Sequence, residues 1–321
     1  ARFNLTPRAL VFLLVQGLSC GFGAAGLWAQ TAGGMVDLGT LGEPHSAARS
    51  VSADGRFVVG WSGTNESGEL ARPTLWDQAG TATLVPVPHQ LNTQATAISA
   101  DGTTVVGTPL ALFETHGFRW SIGTPAAAEL ALKCAAVSAD GRTVGGKSDN
   151  AAGGFAPALW TTSGGFQSLH LLPGVGPVQG LSADGTKIVG RGARAYRYDF
   201  TTATFVDLGS LGGGALFSEA FACSADASVV VGRAFINNSD DRAFRWTQAS
   251  GMQDLGTLGG TQSHAYAVSR DGQVIVGSAR NGAGRWRAFR WTAAGGMQDL
   301  GTLGGLRSHA FGVSADGSVI V

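Results

Sequence analysis

The sequence is short of cysteine, net charge and long apolar runs, and each shortage closes off a class of protein. Only 3 cysteines occur in 321 residues, too few for a disulfide scaffold. Lysine and arginine total 22 and aspartate and glutamate total 22, so the formal net charge is zero. No basic stripe is available to follow a phosphate backbone, which argues against a nucleic-acid partner. No segment reaches the roughly 18 apolar residues of a membrane-spanning helix. Linear signatures of a nucleophile elbow, a phosphate loop or a zinc site are missing as well. Nothing in the residues calls for a metal or any other cofactor.

Glycine is what the chain has instead: 50 residues, roughly twice the usual share. With 44% hydrophobic residues, this composition describes an all-β protein full of tight turns, not a disordered one. The glycines fall in a repeat. A small residue, an apolar residue, Ser, any residue, Asp, Gly, then a β-branched pair and Gly, recurs seven times with its serine at Ser52, Ser99, Ser138, Ser182, Ser224, Ser269 and Ser314. The mean period of about 44 residues marks a repeat architecture. Repeat six divides into four short strands, near 265–269, 273–278, 288–292 and 297–303, with turn residues between them. Four strands in that length make one blade of a β-propeller.

In the first strand, the residue two before the serine is always small, and the residue one before it is larger and apolar, apart from Cys223. Because successive side chains on a strand face opposite ways, both faces are dry, as blades stacked around an axis require. The aspartates Asp54, Asp101, Asp140, Asp184, Asp226, Asp271 and Asp316 read as structural turn residues. Seven equivalent copies cannot all be catalytic, and one carboxylate per turn cannot supply the oxygens that calcium needs. The third strand ends in an aromatic (Trp76, Trp120, Trp160, Tyr198, Trp246, Trp291), and Arg119, Arg245 and Arg290 alternate with these rings. Those arginines are expected to pair with Asp254 or Asp299. The glycine closing the second strand is expected to admit an aromatic ring from the neighbouring blade.

The expected architecture is therefore a propeller over residues 31–321, with six full repeats and a partial seventh. The chain reaches only the second strand of repeat seven, while residues 35–41 read as a lone fourth strand. Seven blades are expected, with this N-terminal strand closing the last one. Ahead of it, Arg2 and Arg8 precede an apolar run at 9–15 and a small-residue stretch, the pattern of a secretory signal peptide over residues 1–30. Lipidation of Cys20 is the alternative and would give the only link to a membrane visible in this sequence.

The run Phe-Arg-Trp-Thr, then Gly-Gly-Met-Gln-Asp-Leu-Gly-Thr-Leu-Gly-Gly, then Val-Ser-x-Asp-Gly and Val-Gly, resembles the bacterial extracellular HAF-type repeat proteins. The likeness covers about residues 35–321 and is tightest over 244–321. It implies a secreted or surface protein, in some relatives displayed ahead of an outer-membrane barrel, and it carries over no catalytic residue.

Ligand-binding candidates are the features that break the repeat. Trp61 and Trp286 lie outside the aromatic column. His264 and His309 precede first strands, where loops border one mouth of a propeller. Asp240 and Asp241, with Glu66, Glu69 and Glu114, occupy the connections between second and third strands. The expected role is binding or display, engaging a polysaccharide or a protein through one face. The alternative is a hydrolase or lyase acting on a glycan or small molecule. An enzyme should gather its non-repeat polar residues at one mouth, whereas a display module should scatter them.

Overall fold

The computed structural model describes residues 10–13, 34–65, 70–87, 92–110, 116–149, 154–212 and 216–321. Apart from Leu10–Leu13, the leader reading over residues 1–30 falls outside the described residues, as do Glu66, Glu69 and Glu114.

Six antiparallel four-stranded sheets follow one another along the chain, each in simple up-and-down order. Blade one is His45–Val51, Val58–Gly63, Arg72–Trp76 and Ala82–Leu84, and blade two is Thr93–Ile98, Thr104–Pro109, Gly117–Ser121 and Ala128–Leu130. Blade three is Lys133–Val137, Thr143–Asp149, Phe155–Thr161 and Gly165–Ser168, and blade four is Val178–Leu181, Lys187–Arg191, Ala195–Asp199 and Thr204–Asp207. Blade five is Ser218–Cys223, Val229–Phe235, Asp241–Thr247 and Gly251–Asp254, and blade six is Gly259–Val268, Ile275–Asn281, Trp286–Thr292 and Gly296–Asp299.

The expectation of seven blades is corrected here: the propeller has six. The seventh repeat supplies its Ser-x-Asp-Gly turn and the two-residue strand Val319–Ile320, and its first strand is reduced to one bridge between Val313 and Ile320. The remaining sheet has three strands, with Leu10–Leu13 lying between Met35–Asp37 and Val319–Ile320. Met35–Asp37 thus joins the last sector without completing a four-stranded blade.

The β-branched pair in each second strand explains how the blades stack. In blade five, Val230 packs toward blade four and Val231 toward blade six. Ile275 and Val276 divide in the same way between blade five and the three-stranded sheet. Small residues near the axis let inner strands converge: a Cβ on Gly180 would meet the Ala222 backbone at 3.1 Å.

Each turn is built identically. The Ser52 hydroxyl donates to Asp54 Oδ1 (2.7 Å), which also accepts the Arg56 amide (3.0 Å), while Ser52 Oγ accepts the Phe57 amide (3.0 Å). The Asp226 carboxyl is held down at about 2, first by the Ser228 amide and despite opposing partial burial. Neighbouring turns also bond one another. Backbone amides of Ala53, Asp101, Ala139, Ala183, Ala225, Arg270 and Ala315 each donate to the following turn, and Ala315 returns to Ala53 O at 3.0 Å. Seven turns thus form a closed hydrogen-bonded ring around six four-stranded blades.

The arginines on the third strands behave differently from expectation. Register places Gln253 opposite Arg245 and Gln298 opposite Arg290. Asp254 and Asp299 accept the amides of Gly256 and Gly301, both at 2.7 Å. Arg119 instead crosses to the next blade, donating to Gly141 O (3.1 Å) with its guanidinium 5.6 Å from the Trp160 ring. Arg197 does the same with Ala227 O and Trp246. These cations fasten blade to blade.

Candidate functional site

Each of the six blades carries a β-bulge in its first strand, three residues before the serine. Its cause lies in the second strand. A Cβ on Gly60, Gly232 or Gly277 would stand 1.9 Å from the carbonyl oxygen of Ala47, Glu219 or His264. The closing glycine therefore admits the backbone of its own blade's first strand, not an aromatic from the next. A bulge re-aims the side chain of the extra residue. Here the bulged positions are Arg49, Thr96, Ala135, Gln179, Phe221 and Tyr266, with Phe311 equivalent in the seventh repeat. No two adjacent positions in this series share a residue type.

Around the axis these side chains meet across blade boundaries. Phe221 and Tyr266 have ring centroids 5.7 Å apart, and Tyr266 and Phe311 5.0 Å apart. The Arg49 guanidinium lies over Phe311 at 4.6 Å. One arc thus runs from blade five through blade six and the last sector to blade one. Toward the Ser-x-Asp-Gly turns the axis is lined by repeated residues, chiefly alanine and branched aliphatics. They line an open pocket of about 180 Å³ that Cys223 and Arg270 also border.

A hydrogen-bonded chain backs the aromatic arc. The Tyr266 hydroxyl lies 3.1 Å from His264 Nδ1, and His264 Nε2 donates to Asp241 Oδ2 at 2.9 Å. Arg233 donates to Asp241 Oδ2 and to Glu219 Oε2, each at 3.2 Å. Gln179 from blade four donates to Glu219 Oε1, also at 3.2 Å. Asp241 is 2% exposed and its Oδ1 has no partner among the described residues. Burial raises the Asp241 pKa, but His264 and Arg233 outweigh burial and leave it below the usual carboxylate range. Tyr266 is pushed up by burial and remains a neutral phenol. Trp286 stands between two histidines, 5.0 Å from His264 and 6.1 Å from His309. His309 stacks on Phe311 at 5.8 Å. Its pKa falls to about 4, through burial first and then the nearby Arg307 and Arg49, so its imidazole is neutral at pH 7.

Of the residues singled out from sequence, the fold brings Asp241, His264, Trp286 and His309 into this one cluster. Asp240 stays at the surface in a turn with Asn237, whose side-chain amide donates to it at 3.2 Å. Trp61 is 4% exposed on the second strand of blade one, opposite Ala47, apart from the cluster's ring contacts. Sequence reasoning missed Arg49, Glu219, Phe221, Arg233, Tyr266 and Phe311. For Arg49, Phe221, Tyr266 and Phe311 the signal was present at the position three before each serine, where the repeat has no consensus; Glu219 lies five before its serine and Arg233 on a second strand. Among the described residues no group of three or more metal-ligating side chains converges. Cys134 and Cys223 are free thiols.

No protein family matches the chain, and no curated protein does. The HAF-type resemblance therefore rests on the repeat residues alone. Solved structures do match. TolB from Acinetobacter baumannii is similar at TM-score 0.55 and 17% identity, over 78% of this chain and 64% of that one. The chain thus spans under two thirds of that relative's length. A protein described as a TolB from Agrobacterium tumefaciens matches at TM-score 0.52 and 16% identity, over 83% of this chain and 96% of that one. The β-propeller domain of the trilobed protease from Pyrococcus furiosus reaches TM-score 0.58 at 11% identity, over 85% and 84%. At such identities the likeness shows the propeller fold and no more.

Proposed function

We propose that this chain is a secreted or surface-displayed binding propeller that engages its ligand, a polysaccharide or a protein, through the mouth where Arg49, Tyr266, His264, Trp286 and His309 gather. The observation that carries this reading is the contrast between the two ends of the axis. One is lined by repeated alanines and aliphatics, while the other collects non-repeating aromatic, histidine and charged residues. Partly exposed rings with hydrogen-bonding groups beside them are the usual makings of a ligand site. The secreted location follows from the leader-like segment and the HAF-type resemblance. N-terminal sequencing of the exported protein, with a start near residue 31, would support it.

Binding is tested on a panel of immobilised polysaccharides and envelope proteins, comparing wild type with Trp286→Ala and Tyr266→Ala. Loss of a half-buried aromatic at the centre of a contact costs about 2 kcal/mol, roughly thirtyfold in affinity. A ligand that both variants retain at full affinity would place binding elsewhere.

One observation favours a hydrolase or lyase instead: the Asp241–His264–Tyr266 chain has the order of an oriented base. Against it, burial raises the Tyr266 pKa and so disfavours the phenolate that a base would need. Turnover of any panel ligand that Asp241→Asn abolishes would reverse this preference.

A further inference from the structure

Arg49 is an arginine of the mouth with no counter-charge among the described residues. It occupies the bulge of blade one, lies over Phe311, and makes no ion pair with any described carboxylate. Its Nε has no hydrogen-bond partner among the described residues. The two acids of the mouth are both committed: Asp241 to His264 and Arg233, and Glu219 to Arg233 and Gln179. The titratable groups that interact with Arg49 are Tyr266, a neutral phenol, and His309, a neutral imidazole. Burying a guanidinium without a counter-charge is unfavourable, and folds retain such a group where something else supplies the charge.

From this geometry we infer that the mouth is a binding site for an organic carboxylate, with Arg49 as its anchor and the Phe311 and Tyr266 rings as walls for the ligand's apolar face. This rests on reading the mouth as a binding site. A guanidinium presents paired N–H donors that match the two oxygens of a carboxylate. The flanking rings suit either a sugar ring or an aromatic body. His309 Nδ1, beside the Phe311 ring and without a partner among the described residues, is available to a neighbouring hydroxyl.

The test titrates wild type, Arg49→Gln and Arg49→Lys with two acids and their neutral counterparts: glucuronate against glucose, and benzoate against benzamide. At least one acid should bind wild type tenfold or more tightly than its counterpart, and which one does so separates a sugar acid from an aromatic acid. Arg49→Gln should abolish the preference, and Arg49→Lys, which keeps the charge without the fork, should retain part of it. Thermal melting accompanies each variant. Arg49→Gln should melt no lower than wild type, because it removes an uncompensated buried cation. Measurable but equal binding within both pairs would overturn the carboxylate assignment while leaving the mouth a binding site. No preference for either acid, or a preference that survives in Arg49→Gln, would overturn it too.

Discussion

Replacing Gly277 with alanine puts the bulge argument to a direct test. The new Cβ would lie 1.9 Å from His264 O, 2.9 Å from His264 C and 2.9 Å from the Phe289 ring, where ordinary contact begins near 3.4 Å. More than an ångström of movement must come from strand backbone held on both sides by hydrogen bonds, since no flexible side chain can yield instead. Overpacking of this kind costs about 1–3 kcal/mol, and disturbing one ladder hydrogen bond adds about 1 kcal/mol. A total near 3 kcal/mol, set against an unfolding entropy of roughly 0.6 kcal/mol/K for a domain of this size, lowers the melting temperature by about 5 °C. Gly282 is the internal control. It lies in the same blade, and a Cβ there meets nothing within 4 Å. Gly282→Ala should shift melting by under about 1 °C. Scanning calorimetry on the three proteins reads the difference. A Gly277→Ala protein melting within a degree of wild type would refute the claim that this glycine exists to seat the first strand. Because the displaced carbonyl belongs to His264, the same substitution should also weaken binding at the mouth.

Two further outcomes follow from buried titratable groups. His309 has a folded pKa of about 4 against 6.5 for the free side chain, so between those values the unfolded chain binds the extra proton. Its contribution is therefore intact above pH 6.5 and is lost as pH falls toward 4, by about 1–2 kcal/mol after allowing for the ring's partial exposure. Denaturant titrations across that window should show a slope that His309→Gln flattens, and an unchanged slope would refute the assignment. Burial also pushes the Cys134 and Cys223 thiols up to about 12. At pH 8 a thiolate fraction on the order of one in ten thousand leaves both nearly inert. A colorimetric thiol reagent should count Cys134 only after denaturation and should label Cys223, half-buried on the axial pocket, slowly; rapid labelling of Cys134 in the folded protein would contradict its burial.

The blade pattern was legible in the sequence because packing repeats with the chain. Val58-Val59 and its equivalents must face two neighbours at once, and every turn needs the same serine and aspartate. The number of blades was not legible in this way. Ser-x-Asp-Gly counts turns, and the seventh turn exists although its sector lacks four strands of its own. The mouth was legible only in part. His264 and Trp286 stood out as departures from the repeat, but the contact between Asp241 and His264 joins residues 23 apart on different blades. Phe221 and Tyr266 looked like ordinary strand residues, since only the bulge turns them to the axis. Trp61 misled for the opposite reason: an off-column aromatic on a second strand can be buried in its own sheet. The arginines of the third strands misled because the aspartates beside them in sequence satisfy their own turns.

The ring of turns also sets the order in which this molecule can be assembled. Six of its seven links join segments about 44 residues apart, so each becomes available as the next repeat collapses on the last. The seventh, from Ala315 to Ala53 O, spans about 260 residues and has no local route. By loop-closure entropy that final link is harder to make than its neighbours by about 1.6 kcal/mol. It is the seam of the circle, where assembly finishes last and opening begins.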